Sequence, residues 1–246
     1  MANSSQPIVW QTPLADLALG EAEVHVWLIG APDPAENFAV DLLSPSERDR
    51  AEKFHFDRDR RLFIASHAAV RAILARYLDT LAADIEFIAG VNGKPSLALA
   101  WAASGIEFNL SHSHQAALFA VSRKCQVGVD IEFVKCDSAF DDVAGRFFTP
   151  REVSALRALP SALRRQAFYK CWTSKEAFLK AKGTGLSGKL DEVEIYHESG
   201  QNVRIHAAVA GWSLSALAPG PGYEAALVAQ GAPARLRLYR WEQSRI

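Results

Sequence analysis

Two short segments carry most of the chemistry this sequence can offer: Gly128-Val129-Asp130-Ile131-Glu132 and Trp172-Thr173-Ser174-Lys175-Glu176-Ala177-Phe178-Leu179-Lys180. Together they supply three carboxylates and two lysines, the donors of a magnesium and phosphate site. In the first, Val127, Val129, Ile131 and Phe133 alternate with Gly128, Asp130, Glu132 and Val134, the period-two pattern of a half-buried strand. Asp130 and Glu132 then share a face, with α-carbons roughly 6.5 to 7 Å apart along the strand. Gly128, on that face, is expected to leave it open for a ligand. Two carboxylates so close call for a cation, and oxygen donors without a His or Cys cluster suit a hard ion, Mg²⁺ above all where phosphate oxygens complete the shell. A solvated edge-strand face would show the same pattern.

The second segment places its charges by helical phase. At about 100° per residue, Phe168, Cys171, Trp172, Phe178 and Leu179 form one apolar stripe with Lys175 at its centre, an unusual place for an ammonium on a surface helix. Glu176 and Lys180, at i and i+4, border the stripe and face a cleft if the helix packs on a sheet; a plain helical ion pair is the bland alternative. Lys175 is a candidate to hold Glu176 in place or to neutralise a phosphate, and the sequence leaves its role open.

The elements that must position these groups come in two similar sets. Ser44-Pro45-Ser46-Glu47 and Thr149-Pro150-Arg151-Glu152 both read as helix starts, with an N-cap hydroxyl, Pro at the first helical position and Glu at the third. Each leads into a longer apolar-periodic helix, over 57–78 and 166–182. Each half opens with a strand, at 24–29 and 127–133, and ends on an Ala-Ala-Leu strand, at 116–121 and 225–229. Later strands are expected at 193–196, 203–207, 212–218 and 235–241, with Pro219-Gly220-Pro221-Gly222 as a turn. The expected fold is α+β, two similar α/β halves forming an intramolecular pseudo-dimer, with domains at 1–124 and 125–246 and a cleft between them.

These motifs, with two others upstream, resemble those of a known family. Gly-Val-Asp-Ile-Glu, then Phe-Phe-Thr-Pro-Arg-Glu at 147–152 and the run from Phe168 to Leu186, are similar to the signature of the tandem, Sfp-type 4′-phosphopantetheinyl transferases. Asn92-Gly93-Lys94-Pro95 and Phe108-Asn109-Leu110-Ser111-His112-Ser113 are similar to that family's coenzyme A motifs, in the family's order. The resemblance implies transfer of 4′-phosphopantetheine from coenzyme A to a serine of an apo acyl or peptidyl carrier protein, releasing adenosine 3′,5′-bisphosphate. It implies Mg²⁺ on Asp130, Glu132 and Glu176, with Glu176, Asp130 and Lys180 as the catalytic set. Coenzyme A contacts then fall to Arg50, Arg61, Lys94, Pro95, Ser111, His112, Asp130 and Lys180, with Arg50 and Arg61 on the 3′-phosphate. His114 has no motif counterpart. The basic cluster of Arg48, Arg50, Lys53, Arg58, Arg60 and Arg61 is interleaved with Glu47, Asp49, Glu52, Asp57 and Asp59, so a salt-bridged surface competes with phosphate binding for most of it.

Composition narrows the field further. With 246 residues, 49% hydrophobic, 22% charged and a formal net charge of -1, the chain is an ordinary globular one with no broad basic field for nucleic acid. Cys125, Cys136 and Cys171, an odd count without metal-ligand spacing, read as reduced thiols. No run approaches the eighteen or so apolar residues of a membrane span, and no secretory leader pattern opens the chain. A cytoplasmic monomer is the expectation. Among competing readings, a noncatalytic coenzyme A or carrier-binding subunit on the same fold should have lost its carboxylates, and a general nucleotide-transfer enzyme lacks its Gly-rich phosphate loop here.

Overall fold

The computed structural model describes residues 9–13, 17–31, 40–90, 92–135, 140–185, 190, 194–198, 202–205 and 210–242. Cys136, Leu186, Val193 and Ala207 lie outside them. In chain order the elements of the first half are β1 (Glu23–Gly30), α1 (Pro45–Glu52), α2 (Asp57–Leu78), β2 (Phe87–Ala89), β3 (Pro95–Leu97), β4 (Ile106–Ser113) and β5 (Ala116–Arg123). The second half runs β6 (Val127–Phe133), α3 (Phe140–Phe147), α4 (Pro150–Ala158), α5 (Ser161–Lys182), β7 (Ile195–Glu198), β8 (Asn202–Ile205), β9 (Trp212–Leu217) and β10 (Tyr223–Gln230), followed by β11 (Arg235–Arg240).

Both expected capping boxes form. Ser44 accepts from the Glu47 N–H while Glu47 reaches back to Ser44, and Thr149 and Glu152 repeat the exchange. The same two glutamates then turn inward to anchor the long helix that follows. Glu47 pairs with Arg71 of α2 at 2.7 Å, and Glu152 pairs with Lys175 of α5 at 2.8 Å. Lys175 is fully buried and also donates to the Leu190 carbonyl at 2.7 Å. This settles the role that the sequence left open for Lys175: at the centre of the apolar stripe its charge is neutralised by Glu152, and the pair ties α5 to α4. Both long helices are 22 residues, and α5 starts five residues before the apolar period announces it because its first turn, Ser161 to Arg164, is largely exposed and adds nothing to the buried stripe.

Two sheets face each other. One has the order β11-β1-β5-β4 and the other β6-β10-β9. In each, the opening strand of the half pairs antiparallel with the last, which pairs with the one before it. Val24, Val26, Leu28, Leu118 and Ala120 of the first sheet meet Val129, Ile131 and Leu227 of the second in a shared core. Outside, α2 covers the first sheet through Ile73 and Leu74 against Trp27 and Phe119, and α5 covers the second through Phe178 and Ala181 against Ala226 and Val228. The final strand crosses over: β11 lies parallel to β1, pairing Leu236 with Val24 and Leu238 with Val26.

Candidate active site

Strand β6 and helix α5 carry the carboxylates, and one glycine sets how closely they meet. A Cβ on Gly128 would sit 2.1 Å from the Ala177 carbonyl oxygen and 2.3 Å from the Ala181 nitrogen. The glycine therefore does not leave an open ligand face, as its position in the strand pattern suggested. It lets the backbone of α5 press directly on β6. Glu176 and Lys180, flanking that contact on the helix, are thereby held over Asp130.

A second device fixes β6 from the other side. Strands β4 and β6, each at the edge of its sheet, run side by side and advance together. The Val129, Ile131 and Phe133 N–H groups donate to Asn109 Oδ1 at 2.9 Å, Ser111 Oγ at 3.4 Å and Ser113 Oγ at 3.1 Å. Side chains on alternate residues of β4 thus satisfy backbone donors that would otherwise be orphaned at a buried edge. The hydroxyls pass the interaction on: Ser111 donates to Asp130 Oδ1 and Ser113 to Glu132 Oε2, both at 2.8 Å. Lys180 Nζ completes the network, donating to Ser111 Oγ at 2.9 Å and to Asp130 Oδ1 at 2.5 Å.

The electrostatics are those of crowded acids. Asp130 is buried at 3% exposure. Burial raises its pKa, opposed by Lys180 and the Ser111 hydroxyl. Glu132 is raised by burial and by the Asp130 charge, and Glu176 by burial and by Asp130 and Glu132. Asp130 Oδ2 and Glu176 Oε1 are buried without a hydrogen-bond donor. Two orphaned carboxylate oxygens beside a third acid fit a hard, oxygen-seeking cation. The acids are not gathered into a ready-made cluster, for among the described residues no three His, Cys, Asp or Glu side chains converge as a metal site.

The residues expected to meet coenzyme A divide into groups. Arg50, Gly93 and Pro95 line one groove of about 740 Å³, with His67, Phe87 and Leu110. Arg50 also lies over the Phe63 ring at 5.4 Å. Arg61 is bonded to Asp57 at 3.2 Å and does not line that groove, and Arg58 and Arg60 are likewise paired with Asp59 and Asp57. Ser111 and His112 sit near the end of β4 and point to opposite faces, so Ser111 is buried against Asp130 while His112 is exposed. The pKa of His112 is lowered by partial burial of its ring and then by the charges of His67, Lys180 and Arg50, which puts it within electrostatic reach of the groove and of Lys180. Lys94 Nζ donates to two backbone carbonyls, Val127 at 3.0 Å and Ala181 at 3.3 Å. His114 stacks on Phe133 with centroids 4.4 Å apart.

Asn109, Ser113 and Asn92 also belong to this junction, beyond the residues the motifs singled out. A signal was present: Asn109-x-Ser111-x-Ser113 has the same period as Gly128-x-Asp130-x-Glu132. Only the pairing of β4 with β6 reveals that the two rows interlock.

Comparison with known proteins shows the family. Residues 126–228 match the 4′-phosphopantetheinyl transferase superfamily, and residues 31–124 match the family described as 4′-phosphopantetheinyl transferase, N-terminal. The 4′-phosphopantetheinyl transferase HetI of Nostoc sp. is 39% identical over 225 residues, covering 90% of this chain and 94% of the relative. The 4′-phosphopantetheinyl transferase Sfp of Bacillus subtilis is 29% identical over 192 residues, covering 77% of this chain and 83% of the relative. The chain belongs to the 4′-phosphopantetheinyl transferases of the Sfp and HetI type. Its activity is transfer of the phosphopantetheine arm of coenzyme A to carrier proteins. No helix among the described residues is long and apolar enough to cross a membrane.

Proposed function

We propose that this transferase works at the β4–β6 junction, with coenzyme A along the groove of the first half and the reacting phosphate over Asp130, Glu132 and Glu176. The observation that carries this assignment is the pair of orphaned oxygens on Asp130 and Glu176, held on two different elements that Gly128 and the β4 serines bring together. Arg50 and His112 bind the 3′-phosphate, Arg61 assists once released from Asp57, and Gly93 and Pro95 border the adenine end. Bound Mg²⁺, held by Asp130, Glu132 and Glu176, would neutralise pyrophosphate charge.

The carrier serine oxygen bonds to the β-phosphorus as the pyrophosphate P–O bond breaks and adenosine 3′,5′-bisphosphate departs. Glu176 takes the serine proton; its raised pKa brings it nearer the working pH, where a general base is most effective. Lys180 spends two of its three N–H donors on Ser111 and Asp130 and directs the third at the departing phosphate. Ser111 acts by holding Asp130 and Lys180 in register.

The halves at 1–124 and 125–246 form an intramolecular pseudo-dimer, a reading supported by the common strand order and the twin capped glutamates. Because β11 returns to the first sheet, the halves are interlocked and the chain acts as a monomer. Cytoplasmic location accords with the reduced Cys125 and Cys171. The test is incubation with coenzyme A, Mg²⁺ and a panel of apo acyl and peptidyl carrier proteins, followed by intact-mass measurement. A gain of one phosphopantetheine on a carrier is expected; coenzyme A binding with no transfer to any carrier would point to a noncatalytic binding subunit.

A further inference from the structure

Lys94 sits in the turn that resembles a coenzyme-binding motif, yet its ammonium is committed elsewhere. It donates to the Val127 carbonyl at 3.0 Å and the Ala181 carbonyl at 3.3 Å. Val127 opens β6, one residue before Gly128, and Ala181 lies in the last turn of α5, where its backbone nitrogen makes the close approach to Gly128. One ammonium therefore bridges strand and helix at their crossing point. A cation suits that place, since the carbonyl end of a helix carries partial negative charge. The rest of the turn joins in. Asn92 Nδ2 donates to the Gly183 carbonyl at 2.8 Å, and a Cβ on Gly185 would lie 3.5 Å from Asn92 Cβ. The turn is closed by its own bonds, Gly90 N to Lys94 O and Gly93 N to Gly90 O, both 2.9 Å, so the lysine is presented from a fixed base.

We propose that Lys94 is a positioning residue: from the first half it staples β6 to the end of α5 and so fixes Asp130 and Glu132 relative to Glu176 and Lys180. This rests on the assignment of those four residues to the chemistry. It predicts that Lys94 governs turnover more than coenzyme affinity, the reverse of a phosphate ligand.

The test compares Lys94→Met, which keeps the stem and deletes the donors, with Lys94→Arg, which keeps donors. Three quantities are read: kcat with an apo carrier, Kd for coenzyme A by calorimetry without carrier, and hydrogen exchange of the amides at 181–184. Misplacement by about 1 Å can cost about 10²-fold in rate, so Lys94→Met should lower kcat by about 10 to 10² fold. Coenzyme A affinity should stay within about twofold and exchange at 181–184 should rise, while Lys94→Arg recovers most of the rate. Asn92→Ala serves as a second variant should Lys94→Met fold poorly, with faster exchange at the same amides and a smaller loss of kcat. The proposal is overturned if coenzyme A affinity falls as much as or more than kcat, or if both kcat and exchange stay at wild-type values. Wild-type transfer measured alongside separates the two ideas: an inactive wild type refutes the transferase reading, whereas affinity and exchange decide the role of Lys94 without turnover.

Discussion

Replacing Gly128 by alanine adds one methyl group at the closest contact in the site. Its ideal position is 2.1 Å from the Ala177 oxygen, 2.3 Å from the Ala181 nitrogen and 2.8 Å from the Ala181 α-carbon. All three are backbone atoms, so no rotamer can relieve them. Favourable carbon contacts lie near 3.5 to 4.0 Å, so α5 must move from β6 by roughly 1 Å. That displacement carries Glu176 and Lys180 away from Asp130 and stretches the 2.5 Å bond between Lys180 and Asp130. Overpacking of this kind costs about 1 to 3 kcal/mol, and for a chain of this size each kcal/mol lowers Tm by about 2 to 4 °C. The rate should fall by about 10²-fold, as expected for catalytic groups misplaced by about 1 Å. Transfer to an apo carrier at saturating coenzyme A gives the rate, and calorimetry gives Tm. Gly145→Ala is the control: it lies within α3 and its added Cβ meets nothing within 4 Å, so rate and Tm should not fall. Wild-type turnover and Tm in Gly128→Ala would refute the close-contact explanation of how α5 and β6 are aligned.

Glu176→Gln keeps shape and an oxygen ligand while deleting the base; turnover should fall about 10² to 10⁴ fold with coenzyme A binding and Tm little changed, and near-normal turnover at saturating Mg²⁺ would remove Glu176 from the base role. Arg50→Ala and His112→Ala should each weaken coenzyme A more than dephospho-coenzyme A, by about 1.5 to 3 kcal/mol for a lost charged hydrogen bond; equal losses for both ligands would rule out 3′-phosphate contact. His25 is fully buried and its pKa is pushed down to about 4, chiefly by burial. Between pH 6.5 and 4 the unfolded chain takes up a proton there that the folded chain does not, so stability should decline as pH falls through that window, by on the order of 3 kcal/mol; His25→Gln should flatten this part of the denaturation profile, and an unchanged profile would show that His25 is not its source.

Much of the site was legible because strand and helix periods act locally. The shared face of Asp130 and Glu132, the helical phase of Glu176 and Lys180 and the two Pro-containing capping boxes follow from backbone geometry alone and are present in the structure, but β6 is not the half-buried strand expected: Val127 to Ile131 are all buried, because α5 covers the face that carries Gly128 and Asp130. Short motifs also identified the family. What the periods do not encode is which surfaces meet. Gly128 looked like an opening for a ligand because a strand pattern does not say that a helix backbone lies against it. Lys175 looked available for chemistry because its partner Glu152 is brought to it only by the packing of α4 on α5. Lys94 and Ser111 carried family motifs, but their contacts with Ala181 and Asp130 join residues far apart in the chain. The return of β11 to pair with β1 was equally hidden, since a weakly alternating strand fits either sheet and only the shared core between the sheets decides its place. Sequence determined the local elements and the chemical groups on them; the tertiary structure decided which charges neutralise one another and which oxygens remain for a cation, because burial and pairing depend on contacts between distant segments.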